Sequence, residues 1–303
     1  CLDHIFSGKL TSCLVNPRAC HETELTISPT NARKNIAVVG AGPAGLAFAC
    51  TAAERGHSVT LFDAASEIGG QFNIAKQVPG KEEFNETIRY FSKRLQVTGV
   101  QTKLGVKVDQ QALNEGNFDE VALATGIVPR MPPIAGIDHP KVMSYLDVIR
   151  DGKAVGKKVA IIGAGGIGFD VAEFLTHDSD ASTNIQTFMR EWGVDMSMQA
   201  RGGIEGMKAE LGEPSREVYL LQRKASKVGN GLGKTTGWIH RTGLQKKGVN
   251  MIPGCEYLKI DDAGLHIRVG NEESVLDVDN IIICAGQESL TELSEGLSMP
   301  YHL

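Results

Sequence analysis

An α/β protein made of two nested, Rossmann-like dinucleotide-binding domains is the fold class this sequence predicts, on two observations. The first is a repeated glycine signature, Gly40-Ala41-Gly42-Pro43-Ala44-Gly45 and Gly163-Ala164-Gly165-Gly166-Ile167-Gly168, each directly after a short apolar, β-branched run. One such motif is weak evidence, but two in matching contexts imply two dinucleotides on one chain. The second is a similarity between Asp119-Glu120-Val121-Ala122-Leu123-Ala124-Thr125-Gly126 and Asp279-Asn280-Ile281-Ile282-Ile283-Cys284-Ala285-Gly286, with acid and glycine in register. Each half therefore opens with a phosphate loop and closes with an apolar strand ending in glycine.

The elements follow in order. Residues 1–34 are polar, irregular and punctuated by Pro17 and Pro29, and read as a connecting segment. A strand is predicted over 35–39, then a helix from Gly42 to about Arg55 that Gly56 ends, then a strand over 58–62 that closes the unit at Asp63. Residues 82–96 read as a helix and 121–124 as a buried strand. In the second half, 178–216 is polar, contains Met and Gly, and lacks sustained periodicity; it reads as a long insertion, because structureless loops of that length are uncommon in compact domains. Residues 218–221 form a strand that ends in Gln222-Arg223-Lys224. The expected domains are a linker over 1–34, a first domain over 35–150, a second over 151–288, and the start of a return to the first over 289–303.

Composition narrows the function. The 303 residues suit roughly two domains, and 42% hydrophobic content supplies two ordinary cores. A net charge of -5 argues against a general nucleic-acid binder, which needs a basic face. The uncharged run over 35–53 is long enough to resemble a membrane span. Gly40, Gly42, Pro43 and Gly45 interrupt it where a strand must turn into a helix. Six cysteines occur without any Cys-x-x-Cys pair or the dense spacing of a secreted scaffold, which points to a reducing, cytoplasmic setting. Cys50, Cys255 and Cys284 lie in apolar contexts and read as buried thiols. The first residue is Cys1 rather than Met, so the chain reads as a fragment or a processed product.

The glycines of the first loop let the backbone turn tightly and let a pyrophosphate approach a helix N-terminus, whose N–H groups and dipole favour anions. Asp63 stands 18 residues after Gly45. A carboxylate there accepts hydrogen bonds from ribose hydroxyls and repels a 2′-phosphate, so this site suits FAD or NAD(H) rather than NADP(H). The segment Glu67-Ile68-Gly69-Gly70-Gln71-Phe72 follows, and its paired glycines permit backbone to lie against a large cofactor, favouring FAD, with Gln71 as a hydrogen-bonding side chain. A surface loop explains that segment equally well. Thr125 and Gly126 join the candidate cofactor contacts. In the second unit the strand ends in basic residues where the first has an acid; Arg223 or Lys224 can pair with a 2′-phosphate, which favours NADPH over NADH. The alternative is a solvated charged strand end. The run Lys234-Thr235-Thr236-Gly237-Trp238-Ile239-His240-Arg241 reads as a nicotinamide rim or as a helix face with a packed Trp, and His240 is a weak candidate for proton transfer.

Several phrases between these motifs are more specific: Cys13-Leu14-Val15-Asn16-Pro17-Arg18-Ala19-Cys20, Ile68-Gly69-Gly70-Gln71-Phe72-Asn73 and Leu232-Gly233-Lys234-Thr235-Thr236-Gly237-Trp238. With the two glycine loops they resemble the bacterial NADPH-dependent 2,4-dienoyl-CoA reductases, iron–sulfur flavoenzymes grouped with trimethylamine dehydrogenase, over essentially the whole chain. The resemblance implies a glutathione-reductase-like pair of FAD and NADPH domains. In the family these follow an FMN-binding β/α barrel, which carries the acyl-CoA site, and a four-cysteine [4Fe–4S] segment; electrons pass from NADPH through FAD, cluster and FMN to the diene. The family's Cys-x2-Cys-x3-Cys-x11-Cys pattern is matched in its last two ligands by Cys1 and Cys13. Ala44, Asp63, Gln71 and Val108 match family FAD contacts, and Arg223 with Lys224 match NADP contacts. The implied function is reduction of 2,4-dienoyl-CoA in β-oxidation, with this chain carrying the NADPH-to-FAD half, no catalytic side chain of its own, an acyl-CoA partner bound by the barrel, and neither nucleic acid nor membrane as partner. A related oxidoreductase acting on another enone or amine, or a non-catalytic nucleotide-binding fragment, are the alternatives.

Overall fold

The computed structural model describes residues 2–13, 16–178, 180–199 and 206–303. The chain divides into two compact units, Cys1–Lys76 with Glu82–Val128 and Gln287–Leu303, and Gln77–Lys81 with Pro129–Gly286.

In the first unit β1 (Asn35–Val39) leads through a glycine turn into α1 (Pro43–Glu54), then β2 (Ser58–Asp63), α2 (Phe84–Thr98), β3 (Gln101–Leu104) and β4 (Glu120–Leu123). The five strands form one parallel sheet, ordered Tyr301–His302, β4, β1, β2, β3. Because both faces are covered, β1 is apolar from Ile36 to Val39, and these residues divide with the period of two expected of a strand. Ile36 and Val38 pack with Leu46, Ala49, Phe91 and Leu95 of the two helices. Ala37 and Val39 pack on the other face with Phe62, Leu113 and Val121, joined by Leu293, Leu297 and Met299 of the returning segment. The expected first strand is matched residue for residue. The helix expected over 82–96 begins two residues later, at Phe84, and continues to Thr98, where Gly99 at φ 74° closes it in the left-handed conformation that glycine tolerates best.

In the second unit β5 (Val142–Ser144) precedes β6 (Lys158–Ile162), α3 (Gly166–Thr176), α4 (Ile185–Trp192), β7 (Glu217–Leu221), α5 (Gly237–Lys246), β8 (Asn250–Ile252), the antiparallel meander β9 (Cys255–Asp261), β10 (Gly264–Val269) and β11 (Glu272–Leu276), and finally β12 (Asn280–Ile283). The parallel sheet runs β5, β12, β6, β7, β8. Residues 129–150 were expected in the first domain but belong to the second unit. The cause is β5, which pairs with β12, and the helix Tyr145–Ile149 behind it, fixed by a capping box between Ser144 and Asp147 with Tyr145, Val148 and Ile149 buried. The insertion is not wholly irregular either. It contains α4, capped by Asn184 and closed by Gly193 at φ 68°.

The internal repeat read from the sequence is present in atomic detail. Asp119 N–H donates to Asn35 O and Asn35 N–H to Asp119 Oδ2; Asp279 N–H donates to Lys158 O and Lys158 N–H to Asp279 Oδ2. Each acid therefore fastens the first residue of a glycine-loop strand to its neighbour. The thiols of Cys50, Cys255 and Cys284 are buried, and burial raises the pKa of each, so they are packing groups. No helix among the described residues is long and apolar enough to cross a membrane.

The third glycine of each loop is the tightest point. A Cβ on Gly45 would lie 1.8 Å from Gly40 O, and one on Gly168 would lie 1.8 Å from Gly163 O. Gly45→Ala or Gly168→Ala should therefore cost about 1–3 kcal/mol or more through overpacking against rigid backbone. Thermal melts should show a clear fall in Tm for both; an unchanged Tm would mean that the loops are looser than this geometry requires.

Candidate functional site

Each unit carries the same construction at the carboxyl edge of its sheet, where ligands of open α/β sheets bind. Gly40 and Gly163 have φ of 109° and 111°, and a Cβ on either would strike Ala124 O or Cys284 O at 2.1 and 2.2 Å. The turn therefore lies directly on the end of the neighbouring strand. Helices α1 and α3 start at N-cap Gly42 and Gly165, neither of which supplies a side-chain cap. Their first-turn N–H groups are consequently left for an anion, the requirement of a pyrophosphate site. A Cβ on Gly42 would meet nothing closer than Gly70 Cα at 4.0 Å, and one on Gly165 nothing at all within 4 Å. These middle glycines are not demanded by protein packing, so the space beside them suits a ligand.

In the first unit the glycine loop opens onto a cleft of about 970 Å³, within the size range of cofactor sites. Of the sequence-predicted residues it brings together Gly40, Asp63, Val108 and Thr125, with Leu290 and Leu293 of the returning segment on the far wall. Asp63 closes β2. Its Oδ2 accepts the Ala41 N–H at 2.6 Å and its Oδ1 the Ala65 N–H at 2.7 Å, so the carboxylate holds the glycine loop and retains acceptor capacity for a ribose. Thr125 Oγ1 donates to Leu290 O, and Leu290 N–H donates to Gly126 O, tying the end of β4 to the returning segment. Ala44 is exposed in the first turn of α1, and Gln71 is exposed at the head of the short helix Phe72–Ala75.

The paired glycines, expected to lie against a cofactor, also contact the first glycine loop. Gly69 N–H donates to Ala41 O at 2.8 Å, and a Cβ on Gly70 would lie 2.8 Å from Gly42 Cα. Gly70 thus lies against the first glycine loop, while a Cβ on Gly69 would meet the Asn73 side chain at 2.8 Å. The pair braces that loop.

In the second unit Arg223 and Lys224 are exposed just beyond β7. No hydrogen bond or ion pair of either side chain is found among the described residues, while the turn beneath is knitted by Gly254 N–H to Lys224 O and by Gln222 Nε2 to Lys224 O and Ser226 O. Gln222, not Arg223, is the residue that follows the last paired strand position, as Asp63 does in the first unit. Sequence reading missed this because the two strand ends were matched by charge rather than by register. His240 is exposed on α5 and lines a small cavity with Glu173 and His177, which gives it no place at the glycine loop. Trp238 is 56% exposed and its indole N–H is satisfied by Thr235 O, so it is not a packed core residue.

The implied cofactors fit unequally. The cleft with its uncapped helix suits FAD, and the second loop suits a nicotinamide nucleotide. A [4Fe–4S] cluster needs four thiolates. Cys13 is exposed, Cys1 lies outside the described residues, and among the described residues there is no group of three or more His, Cys, Asp or Glu able to hold a metal. The described residues do not hold such a cluster.

Two glycine-loop units, one ending its second strand in an acid and the other in Gln222 followed by two cations, are the construction of a flavin- and NAD(P)-binding oxidoreductase domain. Residues 34–302 match the family model for pyridine nucleotide-disulphide oxidoreductases, and the chain belongs to that family. It is 31% identical over 301 residues to a metal reductase of Desulforamulus reducens, covering 98% of this chain and 44% of that protein. It is 35% identical over 187 residues to a cinnamate reductase of Clostridium sporogenes, covering 61% of this chain and 28% of that protein. Among solved structures, a 2-naphthoyl-CoA reductase matches with a TM-score of 0.82 and 24% identity over 99% of this chain and 41% of that one. The chain thus spans less than half the length of these relatives.

The site makes a separable prediction. Gly42→Val should cost about 1–2 kcal/mol of stability, since its Cβ would make only an ordinary contact, with Gly70 Cα at 4.0 Å. It should nonetheless remove FAD, measured as flavin absorbance that co-elutes with the protein on gel filtration. Asp63→Ala should weaken FAD and also loosen the loop. Full flavin occupancy in Gly42→Val would place the cofactor elsewhere.

Proposed function

We propose that this chain is the NADPH-to-FAD half of a cytoplasmic iron–sulfur flavoenzyme that reduces a conjugated acyl-CoA thioester, with 2,4-dienoyl-CoA of fatty-acid β-oxidation as first substrate. The observation that carries the reading is the contrast between the two sites. Asp63 points its acceptors at the first loop, whereas the second strand end presents two cations that bond to no described side chain. Bound FAD would supply a ring able to take a hydride from NADPH and to release its electrons onward. This chain's residues bind and orient: Gly40, Gly42, Gly45 and Asp63 shape the FAD pyrophosphate and ribose site, and Gly163, Gly165 and Gly168 with Arg223 and Lys224 receive NADPH. The acyl-CoA would bind on a barrel outside these residues, together with FMN and a cluster to which Cys1 and Cys13 contribute.

The family supports flavin and nicotinamide chemistry. The short phrases from Ile68 to Asn73 and Leu232 to Trp238 support the dienoyl-CoA assignment, while the named substrates of the cinnamate and 2-naphthoyl-CoA reductases favour a second reading, another conjugated acid or thioester reduced through the same domain.

Two measurements test it. Charge-assisted hydrogen bonds contribute about 1.5–3 kcal/mol each, so Arg223→Ala should weaken NADPH about tenfold or more and spare NADH. Equal loss of both would sink the nucleotide assignment. Supplied with FAD and NADPH, the 303-residue chain should reduce an artificial dye but leave dienoyl-CoA absorbance unchanged. Turnover of dienoyl-CoA by this chain alone would overturn the division of labour; a full-length protein that reduces cinnamate but not dienoyl-CoA would favour the second reading.

A further inference from the structure

A second cleft, of about 660 Å³, lies in the first unit and shares no lining residue with the FAD cleft. Two of its sides are single faces of helices. From α1 it takes Ala47, Thr51 and Glu54, and from α2 Thr87, Tyr90, Phe91 and Arg94, at the spacings of three and four that put residues on one face. The segment that precedes β1 completes the lining with Arg18 and Ile27. Thr30 N–H donates to Arg55 O at 2.8 Å and so fastens that segment to the end of α1.

Of the charged residues that line the cleft, Glu54, Glu86 and Arg94 are already paired. Arg94 Nη2 donates to Glu54 Oε1, joining the two helices, and Arg89 Nε donates to Glu86 Oε2 at 2.6 Å within α2. Arg18 differs. Its Nε is buried without a hydrogen-bond partner, and no hydrogen bond or ion pair of its side chain is found among the described residues. A guanidinium does not give up its proton in a protein, so a half-buried one that no acid neutralises has lost hydration without gaining an anion. One positive charge is therefore left over, at a place that also carries the apolar groups of Ile27, Ala47 and Phe91.

We infer that this cleft is a binding site for a small organic monocarboxylate with an apolar body. The planar fork of Arg18 matches the two oxygens of a carboxylate in parallel hydrogen bonds. Charge selects the class. A carboxylate brings the single negative charge that is missing, whereas a phosphate monoester brings about two and would need Arg94, which Glu54 already holds. The apolar lining favours an alkyl or aryl acid over a hydrophilic one, and the volume is that of a small-molecule site. None of this depends on which nucleotide either glycine loop holds.

Octanoate, octanol and octyl phosphate share one chain and differ in charge, and titration calorimetry on the 303-residue protein gives their dissociation constants. Octanoate should bind at least about tenfold tighter than either of the others. Arg18→Met, which removes the charge and keeps an unbranched side chain, should weaken octanoate about tenfold or more and leave octanol within about twofold. Its Tm should be unchanged or higher, because the guanidinium bonds to no described group. Arg18→Lys keeps the charge without the fork and should lose less. Thr87→Phe fills the cleft and leaves the charge, so it should weaken octanoate and octanol alike. Absence of saturable octanoate binding, octanol binding as tightly as octanoate, or octyl phosphate binding tightest would each overturn the inference. If Arg18→Met melts early, Thr87→Phe decides: octanoate weakened at an unchanged Tm supports the cleft, and octanoate bound at wild-type strength sinks it.

Discussion

The close approach of a glycine loop to the end of a neighbouring strand is the constraint on which both halves of this protein depend. Gly40 lies on Ala124 O and Gly163 on Cys284 O, each so near that a methyl group would overlap backbone. Because the turn is pressed down there, the helix behind it begins without a side-chain cap and offers its N–H groups to whatever lies above. The third glycine repeats the logic beneath, letting the helix settle on the first glycine's carbonyl. Packing and ligand binding are thus served by different glycines of one motif. Gly40 and Gly45 answer to the protein, and Gly42 answers to the space beside it.

With the phosphate sites equivalent, the difference between the units falls on what closes the second strand. A carboxylate that accepts two backbone N–H groups is aimed at the loop. A carboxamide that donates into its own turn leaves the loop alone and lends rigidity to the cations outside it. One architecture therefore carries an acid at this position in one unit and a neutral amide in the other.

Strands with an apolar run and a glycine turn were legible to the residue, as β1 shows, because burial on both faces leaves no polar alternative. The helix α4 was not, although Ile185, Phe188 and Trp192 have helical spacing, because it is only eight residues long and sits among methionines and glycines without period. The meander β9–β11 went unread since half-exposed strands of mixed polarity give weak alternation. The division between the units after Val128, where the sequence reading set its boundary at 150, has a nonlocal cause: the three residues of β5 are placed by pairing with β12, far along the chain, and nothing near Val142 announces it. At the candidate site, the glycines, Asp63 and the basic strand end were visible as residue types. The equivalence of Gln222 with Asp63 was not, because it exists only as a pattern of backbone bonds.

That nonlocality bears on how the first site is completed. Gly40, Asp63 and Val108 on its lining come from the part of the first unit before Pro129, whereas Leu290 and Leu293 come from the segment that returns after Gly286. Thr125 Oγ1 reaches Leu290 O across 165 residues of sequence, and Asn114 Oδ1 accepts both the N–H and the hydroxyl of Ser298. Loop closure over such a separation carries an entropic cost that short-range contacts do not. The returning segment offsets that cost with apolar contacts from Leu293, Leu297 and Met299 against the face of β1 that carries Ala37 and Val39. The wall of the cofactor cleft and the cover of the sheet's second face are therefore the same piece of chain. A ligand that fills the cleft and binds only the folded state stabilises the same segment that closes the core.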